Sequence, residues 1–295
     1  MGQYVRYSHL FILMVVRNVR WVFILLFKGG ERAWPILNFK MNLNAKKAGL
    51  DPKENSIHKQ LILDEIREKK ATEIMLDFIE PDDVILELGA NIGYYVCMES
   101  KILSDKGQIY AVEPGPENVA LLKGNIALND VRNIDIFNMA MSNERGTAKL
   151  YMGPACNLHS LVDRTDRPDR EYVEVDTDSV DHFLEGKRPI TFLRMDVEGY
   201  ETIIFEGMTQ TLASPSLKKL FIEIHPMVIE AEAMQTFFNQ LLDAGFEIQA
   251  AVSRDNWQRS VLGQCQVEHM SLAELAKDPR VLNKEHAFEV FFKRS

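Results

Sequence analysis

Val84-Ile85-Leu86-Glu87-Leu88-Gly89-Ala90-Asn91-Ile92-Gly93-Tyr94-Tyr95 reads as an apolar strand that ends near an acid and passes, through two glycines, into a helix. Glycine at 89 allows a tight turn and lets the backbone approach a ligand with no Cβ in the way. Gly93 lets the helix start close to the strand, with its unpaired N–H groups and positive dipole end facing a ligand. A second apolar strand, Gln108-Ile109-Tyr110-Ala111-Val112-Glu113-Pro114, again ends in an acid, 24 residues after Gly89. An acid at that tip is placed to hold ribose hydroxyls. The unit is a strand–helix–strand crossover for an adenosine-containing cofactor.

The spacing narrows the choice of cofactor. A dinucleotide fold calls for Gly-x-Gly-x-x-Gly, so that a pyrophosphate can lie on the backbone. Here Glu-x-Gly-x-x-x-Gly has two glycines and an acid where the diphosphate would go, and like charges repel. An acid suits a ligand carrying an ammonium and a sulfonium, and no Gly-Lys-Ser/Thr follows to make a P-loop. S-adenosylmethionine fits better than NAD or ATP.

The run Glu87 to Gly93 resembles the cofactor loop of class I methyltransferases, and more narrowly the FkbM-like family. Arg194-Met195-Asp196-Val197-Glu198-Gly199-Tyr200-Glu201 is similar to that family's Asp-Val-Glu-Gly-x-Glu signature, and Phe221-Ile222-Glu223-Ile224-His225-Pro226 adds to the likeness. The resemblance covers residues 60 to 250, with Glu87 standing where many relatives carry Asp. It implies an α/β fold: a doubly wound, Rossmann-like, seven-stranded sheet, mostly parallel, with an antiparallel last strand. It also implies methyl transfer to acceptors as varied as sugars, lipid-linked glycans and small metabolites.

At 295 residues the chain holds one large domain plus an extension. The expected division is an apolar-basic extension with its connector over 1–55 and a methyltransferase domain over 56–295. Cys97, Cys156 and Cys265 are odd in number and widely spaced, which indicates a reducing, cytoplasmic setting. Residues 1–60 carry ten Lys or Arg against three acids, net +7; the whole chain is −9, so the remainder is −16. An acidic body does not suit long phosphate tracks, so nucleic acid is not the expected partner.

Leu10 to Phe27 is apolar except for Arg17, Asn18 and Arg20. Arginines at mid-span disfavour a crossing helix. On a helix, Arg6, Arg17, Arg20 and Lys28 share one stripe, which predicts peripheral contact of residues 6–28 with anionic headgroups. Docking on the body or in a homodimer is the competing expectation. Pro35 and the polar run 38–55, closing near Asp51-Pro52, read as connector.

In the body, a lead-in helix is predicted over 56–79. Strands are predicted at 83–88, 108–113, 133–140, 190–195 and 218–224, with a loop over 153–172 and an edge strand at 173–176. An antiparallel pair, 246–252 and 287–293, closes the sheet, and Ser271 to Glu274 has capping-box spacing. Such sheets bind ligands beyond the carboxyl ends of their strands, where Glu87, Glu113, Asp196 and His225 fall. The expected cofactor contacts are Glu87, Gly89, Asn91, Gly93, Tyr94, Glu113 and Ala140. Methyl transfer to oxygen requires removal of a proton, and Asp196 and His225 are the expected catalytic residues. Asp196 with Glu198 is the expected pair of ligands should a divalent cation take part. Tyr95 is expected in the core; His159 and Ser160, after the third strand, read as a solvated loop, with substrate contact as the alternative. An RNA methyltransferase, which would need a basic rim, and a membrane-tethered binding module without turnover are the alternatives.

Overall fold

The structure, a computed structural model, describes residues 2–48, 56–153, 156–163, 171–255, 259–260 and 262–294, with side chains from residue 12 onward except at 47 and 48. Asp51-Pro52, residues 164–170 of the charged loop and the side chain of Arg6 lie outside the described residues.

Helix α1 spans Gly2–Lys28 and leads into a hairpin of β1, Glu31–Ile36, and β2, Phe39–Asn44. A connector was expected there. The alternation Phe39-Lys-Met-Asn-Leu-Asn instead buries every second side chain, as a half-buried strand does. The lead-in helix is two helices, α2 (Ile57–Asp64) and α3 (Lys69–Phe78), broken where Glu65 and Glu68 turn left-handed at φ 58° and 44°. Then come β3 (Val84–Leu88), α4 (Tyr94–Ser100), β4 (Gln108–Val112), α5 (Pro116–Asn129) and β5 (Ile134–Phe137). The strand expected at 133–140 ends at Phe137; Ala140 begins β6 (Ala140–Ser142), which joins β7 (Gly146–Tyr151) and β8 (Tyr172–Ser179) in a separate sheet. There β8 is the central strand, not an edge.

The chain returns through α6 (Val180–Phe183), β9 (Phe192–Met195), α7 (Glu201–Glu206), α8 (Thr209–Ala213), β10 (Lys219–Ile224), α9 (Ala231–Asp243), β11 (Glu247–Ser253), β12 (Val267–Glu268) and β13 (Phe288–Lys293). The main sheet runs β12-β11-β13-β10-β9-β3-β4-β5, the seven strands expected plus a two-residue one at its edge. From β5 to β9 and β10 the pairs are parallel; β13 is antiparallel to both neighbours. The order reverses between β4–β3 and β9, and a crevice opens at such a switch point.

Alternation along each strand sorts its side chains onto two faces. Leu86, Leu88, Leu193 and Met195 join one core; Ile85, Phe192, Phe221 and Phe291 join the other, with Trp21, Ile36, Met41 and Leu43 of the N-terminal segment. On this second face, Arg17 of α1 is buried against Asp64 at 2.7 Å, so it does not reach outward as expected. No helix of the described residues is long and apolar enough to cross a membrane.

That second face also buries Glu87 and Glu99. Burial raises Glu87 to about 7 against the pull of Arg194, and burial with the Glu87 charge pushes Glu99 well above the usual carboxylate range. Because both folded values exceed the unfolded one, the native state binds the extra protons. Their stabilisation is complete below the unfolded carboxylate value and is lost as pH rises through about 7. The melting temperature should therefore fall between about pH 5 and pH 8, and Glu99→Gln should flatten that decline. An unchanged slope in Glu99→Gln would remove the assignment.

Candidate active site

The turn after β3 is built from left-handed residues: Gly89 at φ 82°, Asn91 at 49° and Gly93 at 87°. A Cβ on Gly89 would stand 2.0 Å from the carbonyl oxygen of Asp196, so only glycine lets the turn lie against the end of β9. The Gly89 and Ala90 N–H groups donate to Val112 O at 3.0 and 3.1 Å, which ties the turn to β4. Glu113, at the tip of β4, accepts from the Asn91 N–H and the Gly115 N–H, both at 2.8 Å, and from Asn118 Nδ2 at 3.1 Å. Burial raises its pKa, and these donors oppose the rise.

A cleft with about 840 Å³ of empty space, part of it open to solvent, lies above this turn. Of the expected cofactor contacts, Gly89, Asn91, Tyr94, Glu113 and Ala140 line it. Glu87 and Gly93 do not. Glu87 shares a strand face with Ile85, so its carboxylate points beneath the turn into the second core, where Arg194 Nη1 binds it at 2.5 Å. The acid read as facing a cationic ligand instead faces a guanidinium of the protein. Gly93 is held under the loop, where a Cβ would meet Leu122.

Asp196 and Glu198 line the cavity, and the first described residue of α7 is preceded by Tyr200 as its cap, so Asp196 does not cap that helix. Burial and the charges of Glu223 and Glu198 push Asp196 well above its ordinary value; Arg194 Nη2, 3.7 Å away, opposes them. His225 is 4% exposed and does not line the cavity. Its Nδ1 meets Glu201 Oε1 at 2.7 Å, while Nε2 faces Glu223 at 3.5 Å and Glu198 at 3.9 Å. Burial disfavours its charge, but Glu201 and Glu223 outweigh that and hold it well above the usual histidine range. An imidazole so placed stands behind the carboxylates that line the cavity.

Asp196, Glu198 and His225 each bring one ligand atom within 4.8 Å of the others, so they could hold a metal ion. Glu68, Glu223 and Glu289 converge similarly, but Arg254 already reaches all three and serves as their cation.

Tyr95, Ser160, His159 and Arg67 also line the cavity. Tyr95, expected in the core alone, donates to Glu68 at 2.9 Å and carries the Arg194 guanidinium 3.7 Å above its ring. Ser160, 2% exposed, donates to Glu198 O at 2.9 Å, and His159 lines the wall beside it. Arg67 enters from the break between α2 and α3, paired with Glu68 at 2.7 Å. Nothing in a run read as continuous helix marks Arg67; His159 and Ser160 were visible as polar residues after strand three.

Residues 87–248 match the family model of the methyltransferase FkbM domain. The hexuronic acid methyltransferase AglP of Haloferax volcanii is 28% identical over 162 residues, 54% of this chain and 62% of that protein, so the chain spans about three-fifths of this curated relative. Among solved structures, the FkbM methyltransferase of Methylobacillus flagellatus aligns with a TM-score of 0.43 and 14% identity, over 72% of this chain and 44% of that one. TYW2 of M. jannaschii, solved with AdoMet, aligns with a TM-score of 0.44 and 13% identity, over 90% of this chain and 88% of that one.

Proposed function

The chain belongs to the FkbM methyltransferase family, and from that premise we propose that it methylates a hydroxyl of a sugar, free or within a glycan or lipid-linked carrier. The observation that carries the reading is the cavity at the switch point, which places Asp196 and the Gly89 turn on one wall. The family's cofactor is S-adenosylmethionine, which when bound supplies a methyl group already activated on a sulfonium. The residues present fit it: Gly89 lets the turn close against the Asp196 carbonyl, so that bare backbone lines the cavity, and Glu113 is held by three donors at the rim. Gly89, Asn91, Tyr94, Glu113 and Ala140 would hold it. Asp196 then accepts the proton of the acceptor hydroxyl at its carboxylate; a raised pKa makes it a stronger base.

A relative that acts on a hexuronic acid favours an acidic sugar. An RNA acceptor is less well supported, because Arg67 and Arg194 are already paired with Glu68 and Glu87. Incubating the full chain with labelled S-adenosylmethionine and matched neutral sugars, uronic acids and transfer RNA should label the uronic acid hydroxyl. Label in RNA alone would overturn the reading.

The geometry of His225 favours a divalent cation as an added element. Metal-ligating histidines usually tie their other ring nitrogen to a carboxylate, as His225 does to Glu201, and Asp196 and Glu198 stand alongside. Mn²⁺ or Mg²⁺ should then raise the melting temperature, and chelation should lower turnover until the ion is restored. An unmoved melting temperature with full turnover in EDTA would exclude it.

A further inference from the structure

Helix α1 is apolar on two sides. Met14, Trp21 and Ile24 are buried against the body, with Arg17 locked to Asp64. On the opposite side, the large apolar residues at 12, 15, 16, 19, 22, 23, 26 and 27 are exposed by 44% to 73%. Their spacing is that of one helical stripe, and the Phe23 and Phe27 rings lie 4.6 Å apart within it. A soluble surface helix carries polar groups on its outer face, so a stripe of this kind marks a surface that something covers.

Charge identifies the cover. The whole of α1 contains Arg6, Arg17, Arg20 and Lys28 and no acid. Arg20, at the edge of the stripe, is exposed, as are Lys28 at the end of the helix and Arg32 and Lys40 on the hairpin that follows. A second copy of α1 would bring like charges together with no carboxylate on the helix to pair them. An anionic bilayer supplies hydrocarbon for the stripe and phosphates for the cations, and the acidic remainder of the chain is repelled by it. We infer that α1 lies flat on an anionic membrane surface through its 12–27 stripe, with its other face still bound to the body. The expected orientation is thus reversed for Arg17: the membrane side is the apolar stripe, with Arg20 at its margin. This inference rests on α1 alone and stands or falls apart from the methyltransferase reading.

The test is flotation of the full chain with phosphatidylcholine vesicles, with and without phosphatidylglycerol. The protein should float with the anionic vesicles at least about tenfold more than with neutral ones, and less as salt rises. Val19→Glu with Phe23→Glu should abolish flotation while melting and methyl transfer are unchanged, since both side chains point away from the body. Arg20→Glu with Lys28→Glu, which leaves the stripe intact, should lower binding to anionic vesicles selectively. Protein that stays unbound in every mixture overturns the inference. So does a dimer in sedimentation equilibrium that the Val19 and Phe23 changes dissociate while vesicles capture nothing.

Discussion

Asp196→Asn is expected to leave S-adenosylmethionine binding within about threefold and to lower turnover about 10²–10⁴-fold, the usual contribution of a positioned base. The change keeps the side-chain volume and the backbone bond from Asp196 N to Leu88 O at 3.1 Å, so the Gly89 turn that rests on this residue stays in place. What it removes is the carboxylate at the cavity wall. The nearest replacements are poor. Glu198 sits two residues on at a left-handed φ of 55°, and His225 stands behind both with its Nδ1 committed to Glu201. Calorimetry measures the first half of the expectation and single-turnover assays the second. Normal turnover would end the role of Asp196 as base. Lost cofactor binding would move it to the donor side of the site.

The elements that place the site could be read because their signals are local. Apolar runs ending in acids mark β3 and β4, and the left-handed glycines between β3 and α4 are demanded by the turn itself. The directions of individual side chains were less accessible. Glu87 shares a face with Ile85 and pairs in register with Arg194, 107 residues away; sheet register depends on which strands become neighbours, and no local pattern states it. The same holds for Arg17. On a lone helix it belongs to a basic stripe, and its partner Asp64 is brought to it only by the packing of α1 on α2. The β1–β2 hairpin is different, because the period-two pattern of Phe39–Asn44 was present in the sequence beneath its polar residues. Arg67 reaches the cavity because two glutamates turn left-handed around it, a conformation that tertiary packing imposes on non-glycine residues.

Glu113→Ala should weaken S-adenosylmethionine binding about 10- to 100-fold with little loss of fold, and it discriminates between two roles for this residue. If Glu113 served only the protein, it would be a brace: its carboxylate gathers the Asn91 and Gly115 N–H groups and Asn118, and so fixes the rim of the turn. If it also meets the ribose, losing it removes charge-assisted hydrogen bonds worth about 1.5–3 kcal/mol each, and every 1.4 kcal/mol is about tenfold in affinity. Glu113→Gln separates the two. Its amide oxygen can still accept from one backbone N–H, but its NH₂ faces the remaining donors, so part of the brace survives while charge is lost. A ribose role predicts that Glu113→Gln binds S-adenosylmethionine nearly as weakly as Glu113→Ala while melting close to the parent. A brace alone predicts affinity that tracks melting temperature across both variants. Unchanged affinity in Glu113→Ala would remove the ribose contact altogether and leave Asn91, Tyr94 and Ala140 to hold the donor.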